Sequence, residues 1–169
     1  MSPPRPTGRG VRPGRWTGFA AAVVAFAFAA VSFYWALGGR GLLDTLGGQI
    51  ERRARAGDDV LLVANAIAAV LKVIGGVLAL ALVQAWGARL PRRPLLAVAW
   101  AGSALLVAYG ALQVVAIALV ALDLVQPAEP LDPRAVHWRL FLWEPWFLVW
   151  GLLLGAAAWH FRNRTEDRP

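Results

Sequence analysis

The chain has 169 residues, of which 59% are hydrophobic and only 16% charged, with a formal net charge of +7 and no cysteine. A water-soluble domain carries about a quarter charged residues, and a disordered chain lacks this much apolar surface, so both classes are excluded. Without cysteine there are no disulfides, thiolate metal sites, iron–sulfur clusters or cysteine nucleophiles.

Residues 1–15 are rich in Pro, Gly and Arg and read as a disordered basic N-terminus. The first apolar span runs over 16–38. A small-x-small cleavage site at Ala25-Phe26-Ala27 would suit a signal peptide, but the apolar run continues unbroken to Phe33-Tyr34-Trp35, which favours a retained helix. In the segment that follows, Leu43, Leu46, Ile50 and Ala54 recur at spacings of three and four. This suits either a short helix lying on a membrane surface or, because of Gly47 and Gly48, an irregular loop.

The second span, 60–86, holds the only lysine, Lys72, 12 residues from its start and roughly 18 Å along the helix. Asn65 lies two turns earlier on the same face, and the stripe continues through small residues, Ala68, Ala69, Gly75, Gly76 and Ala79, that let a second helix approach closely. The third span, 95–122, places Tyr109 and Gln113 on one face. The fourth begins at Trp138 or at Pro145 and ends near 161. Glu144 shares a face there with Gly151 and Gly155, a Gly-x-x-x-Gly pair. If the helix starts at Pro145, Glu144 is a solvated cap at its N-terminus; if it starts earlier, Glu144 enters the bundle. Residues 163–169 form a polar tail.

Each span is near the roughly 20 apolar residues needed to cross a bilayer, so the expected fold is an all-α integral membrane protein, a four-helix transmembrane bundle. Arg5, Arg9, Arg12, Arg15, Arg89, Arg92, Arg93, Arg162, Arg164 and Arg168 fall on one side. Arg40, Arg52, Arg53, Arg55, Arg134 and Arg139 fall on the other, together with most of the acids. The positive-inside rule then gives an N-in/C-in topology in a bacterial inner membrane. The basic excess reads as a topology signal with attraction to membrane lipids rather than as a nucleic-acid surface. Trp16, Trp86, Trp159, Trp35, Trp138, Trp143 and Trp146 sit at span ends and read as interfacial anchors.

No hydrolase, nucleotide-binding or zinc-protease motif is present, and His137 and His160 lie at opposite ends of the spans, so no metal or cofactor is implied. Polar residues inside spans are costly and mark candidate sites. Lys72, Glu144, Asn65, Tyr109, Gln113 and Tyr34 all fall in the half of the bundle away from the termini. They form either a hydrogen-bond network that aligns the helices or a pocket with Lys72 and Glu144 as charged poles. Gly75, Gly76, Gly151 and Gly155 read as helix-packing positions.

Phe33-Tyr34-Trp35-Ala36-Leu37-Gly38-Gly39 resembles the Tyr-Trp-Ala-Leu-Gly-Gly signature of an uncharacterised family of small bacterial membrane proteins, catalogued as a domain of unknown function. Leu142-Trp143-Glu144-Pro145-Trp146-Phe147 resembles its second recurring feature, and the likeness covers roughly residues 16–162. That family often has a His just before its Tyr-Trp, where this chain has Ser32 and Phe33. The resemblance implies four transmembrane helices and no assigned reaction. The residues themselves suggest a small amphiphilic or lipid-like ligand bound in the polar pocket. Two alternatives stand beside this: an intramembrane enzyme using Glu144 and Lys72 as acid and base, and a structural subunit of a membrane complex. Homo-oligomerisation is left open.

Overall fold

A computed structural model describes residues 14–127 and 132–163. The expected disordered N-terminus and polar tail fall largely outside these residues. The described chain is helical, with α1 (Arg15–Ala36), α2 (Gly48–Arg55), α3 (Asp59–Ala81), α4 (Arg92–Ala121), α5 (Pro133–Trp138) and α6 (Glu144–Asn163). Short 3₁₀ turns at Leu43–Thr45 and Ala85–Arg89 join them, and a π turn at Arg139–Trp143 fuses α5 to α6. Four helical stretches, α1, α3, α4 and the fused Pro133–Asn163, are long and apolar enough to cross a membrane.

Three boundaries differ from the sequence reading. The second span stops at Ala81, not 86, because Leu82 and Val83 belong to a turn that folds back into the core, where they are 1% and 6% exposed. Gly87 makes that turn possible: a Cβ there would collide with the Ala81 carbonyl. The fourth span starts at neither Trp138 nor Pro145. Asp132 accepts the Arg134 amide at 2.7 Å and Pro133 occupies the first helical turn, so the helix is already formed at 133. Pro145 has no amide hydrogen to offer the Phe141 carbonyl, and the π turn immediately before it re-pairs the ladder without a break. In the segment after α1, Gly47 and Gly48 adopt positive φ (67° and 60°) and divide the amphipathic stretch into a 3₁₀ turn and α2. Leu43 points inward, 2% exposed, rather than along a surface.

The helices pack as two tight pairs, α1 with α3 and α4 with α6, joined through α1 and α6. By contrast α3 and α4 barely meet, so the order across the molecule is α3, α1, α6, α4. Small residues allow the close approach within the first pair: Ala21, Ala22, Ala25 and Ala29 on α1 face Ala69, Gly76 and Ala79 on α3. Both described ends of the chain lie at one end of the bundle, where Gly14 abuts the His160 ring and the Arg92 guanidinium donates to the Arg162 carbonyl at 2.8 Å. The far end carries α2 and the turns around it. Outward faces of α3 and α4 are apolar and exposed, with Val63, Ile67, Leu71 and Ile74 on one and Val98, Leu105, Leu112 and Val115 on the other.

Two cores fill the interior. Towards the terminal end, alanines of α1, α3 and α6 surround Leu82, Trp150 and Leu154. Towards the far end, Phe28, Trp35, Leu43 and Trp143 form an aromatic core with Trp146 and Phe147 against it.

Candidate functional site

Lys72 lies thirteen residues past Asp59, the first residue of α3, hence about 20 Å along the helix. Its Nζ donates to Ser32 Oγ of α1 at 2.6 Å and stands 3.8 Å from the centroid of the Phe28 ring and 5.9 Å from that of Phe147. Ser32 and Phe28 are four residues apart on α1 and so share a face. Ser32 is 1% exposed, while Lys72 itself is half-buried. No carboxylate pairs with Lys72 among the described residues.

Glu144 is not its counter-charge. Glu144 is 5% exposed and its Oε1 accepts both Nε (3.0 Å) and Nη2 (2.8 Å) of Arg139. In a regular α-helix, residues five apart point about 140° away from each other. The π turn brings them together, and it also removes the expectation of a solvated cap. Tyr109 and Gln113, four residues apart on α4, share one face of that helix. The Tyr109 ring meets Phe147 edge-on at 4.9 Å. Phe147 is therefore the meeting point of the two polar groups, with Lys72 near its ring from α3 and Tyr109 against it from α4.

The other two residues are engaged elsewhere. Asn65 donates to the Leu61 carbonyl at 3.1 Å and lines a separate cavity of about 100 Å³ below Trp35, Leu43 and Ala54. Tyr34 and Trp35 form a lock. The Tyr34 hydroxyl accepts the Gly41 amide at 2.9 Å while the Trp35 indole donates to the Gly41 carbonyl at 2.9 Å. The Tyr34 ring covers Gly39 so closely that a Cβ there would fall 2.5 Å from it. The Tyr-Trp-Ala-Leu-Gly-Gly stretch thus holds one residue, Gly41, by both its amide and its carbonyl and fixes how the chain leaves α1.

Of the seven tryptophans read as interfacial anchors, three are drawn inward. Trp35 and Trp143 are 7% and 5% exposed, and their rings lie 5.3 Å apart. The Trp143 indole donates to Thr45 Oγ1 at 3.0 Å and the Trp146 indole to the Val24 carbonyl at 3.1 Å. Trp16, Trp86, Trp138 and Trp159 are exposed at the helix ends.

The packing glycines sit at close approaches. A Cβ on Gly151 would lie 2.8 Å from the Val107 amide nitrogen and one on Gly155 2.6 Å from Ser103 Oγ, which itself donates to the Gly151 carbonyl at 2.8 Å. Gly76 faces Phe26, and Gly75 faces the Trp150 ring, which a Cβ on Gly75 would approach to 2.5 Å. Trp150 is 5% exposed, and its indole nitrogen has no acceptor among the described residues.

Sequence reasoning missed Phe28, Phe147 and Arg139. The first two carry no polar signal, and Arg139 is joined to Glu144 only by the π turn.

Among known families, the model of one described as protein of unknown function (DUF3995) matches residues 25–154. No curated protein and no solved structure matches significantly.

Proposed function

The chain belongs to the DUF3995 family of proteins of unknown function, and we propose that it is a multi-pass membrane protein that binds the polar head of an amphiphile in the gap between α3 and α4, with Lys72 as the principal donor. The observation that carries this reading is the state of Lys72. An ammonium offers three donors, and among the described residues one hydroxyl and the faces of Phe28 and Phe147 attend to it. A lysine at the centre of a membrane helix costs about 2.5–3.5 kcal/mol on insertion scales; a hydrogen bond to Ser32 and a cation–π contact are of comparable size, but they leave two of the three ammonium donors without an acceptor among the described residues. A ligand acceptor completes the set.

The packing supports access from the side. Because α3 and α4 barely meet, Lys72, Gly75 and Phe147 are each left half-buried, which suits approach from the surrounding apolar phase. Basic residues at the terminal end, Arg15, Arg89, Arg92, Arg93 and Arg162, favour a cytoplasmic-membrane topology with that end inside. The gap then lies at the level of the bilayer midplane, with Lys72 about 20 Å from the extracytoplasmic end of α3. Glu144, bonded to Arg139, holds the π turn and is not poised to exchange protons with Lys72.

Native mass spectrometry of the detergent-purified protein tests the reading. Wild type should retain a bound amphiphile, Tyr34→Phe should retain it too, and Lys72→Met should lose it. Absence of any ligand from wild type, or retention undiminished in Lys72→Met, would overturn the proposal; the former would favour a purely structural role.

A further inference from the structure

We infer that the head group this gap receives is a neutral conjugated ring with acceptors at opposite edges, a para-quinone, taken in its oxidised form; the inference rests on the amphiphile reading above. Depth is the first argument. Lys72 lies thirteen residues from the far end of α3 and Tyr109 twelve residues from that of α4, so both are about 18–20 Å in. A hydrocarbon core about 30 Å thick puts that level near the midplane. A phospholipid phosphate would have to leave the aqueous boundary to reach it, and desolvating an anion is far more costly than desolvating a carbonyl. A quinone ring, carried on an apolar tail, already resides at this depth.

The shape of the site is the second argument. Phe147 is an aromatic floor, half-buried, with Lys72 Nζ 5.9 Å from its centroid and the Tyr109 ring edge-on at 4.9 Å. A flat ring stacks on such a floor in an offset arrangement. It then offers one carbonyl towards the Lys72 ammonium and the opposite one towards the Tyr109 hydroxyl and Gln113 amide.

Donor balance is the third. Lys72 has donors without an acceptor among the described residues, and Tyr109 brings a hydroxyl. A site with surplus donors prefers a ligand that only accepts. The quinone meets that condition, whereas the quinol adds two donors of its own.

The test is a fluorescence titration of the full chain in neutral detergent, with three probes: a short-tailed para-benzoquinone, its quinol, and an anionic phospholipid. The quinone should quench tryptophan emission saturably and bind more tightly than the quinol. Lys72→Met should weaken it about tenfold or more and Tyr109→Phe about threefold. Asn65→Ala, whose side chain faces a different cavity, should leave it unchanged. Lys72-dependent binding of the phospholipid with no saturable quinone binding would overturn this inference and leave the amphiphile reading intact. Equal quenching in wild type and both Lys72→Met and Tyr109→Phe would mean mere partitioning and would overturn it as well. If no probe binds, both readings fall.

Discussion

Gly110→Ala is a severe test of how α4 and α6 are held together. A Cβ at Gly110 would lie 2.5 Å from the Leu148 amide nitrogen and 3.0 Å from its Cα, atoms of the α6 backbone that no rotamer change can move. Restoring ordinary contact at about 3.5 Å requires the helices to part by roughly 1 Å. Overpacking of this kind costs about 1–3 kcal/mol. The same separation stretches the Ser103 Oγ to Gly151 carbonyl bond from 2.8 Å, which adds about 0.5–1.5 kcal/mol. Together these cost about 1.5–4.5 kcal/mol, which the helix preference of alanine, about 1 kcal/mol, reduces to a net loss of about 0.5–3.5 kcal/mol, a shift in the unfolding equilibrium of about 2-fold to 300-fold. Gly102→Ala is the control, because its nearest neighbour would be Leu154 Cδ2 at an ordinary 3.6 Å, and alanine favours the helix by about 1 kcal/mol. Reversible unfolding in mixed micelles, followed by tryptophan emission, measures both. Gly110→Ala as stable as wild type, or indistinguishable from Gly102→Ala, would refute the helix contact as described.

Breaking the Arg139–Glu144 pair from one side, as Arg139→Leu or Glu144→Leu, should destabilise the protein by about 3 kcal/mol, the lower part of the buried-pair range because Arg139 is 24% exposed. The double variant should be more stable than either single one in the same unfolding assay, and simple additivity would count against a buried pair. Trp143→Phe keeps the ring packing but removes the bond to Thr45 Oγ1, so it should cost about 1 kcal/mol and raise amide exchange in residues 42–46; unchanged exchange there would contradict a role for this bond in holding the turn. Asp58 caps α3, and its carboxyl is held below the usual carboxylate range, chiefly by the Arg53 hydrogen bond and then by the Leu61 amide. With the folded value below the unfolded one, its stabilisation is complete above about pH 4 and is lost as pH falls through the folded value. Protection factors of Leu61 and Leu62 should therefore drop in acid in wild type and stay flat in Asp58→Asn.

The four apolar stretches were legible because hydropathy reads length and composition directly, and those two properties decide whether a helix can cross a membrane. The turn at 82–91 was not, because Leu82 and Val83 are as apolar in a buried turn as in a helix. Lys72 stood out for its cost, and Gly151 and Gly155 for their spacing. The surroundings of Lys72 stayed hidden because they are aromatic: Phe28 and Phe147 look like any core residue until the fold places an ammonium over them. The pairing of Glu144 was hidden for a different reason. Helical-face reasoning assumes 3.6 residues per turn, and one π turn moves Arg139 onto the face that the regular period assigns to others. Trp143 was misplaced because its position near a span end suits a membrane interface equally well, and only the turn carrying Thr45 decides otherwise.

The most direct test of the account uses the fact that Lys72 is the only lysine in the chain. In vesicles, a lipid-soluble amine-reactive probe should modify Lys72 through the gap between α3 and α4, giving one adduct on the peptide that contains it. A membrane-impermeant analogue should leave that peptide unmodified, and peptide mapping separates both from the N-terminal amine. Complete protection of Lys72 from the lipid-soluble probe in ligand-free, folded protein would contradict a side-entry site.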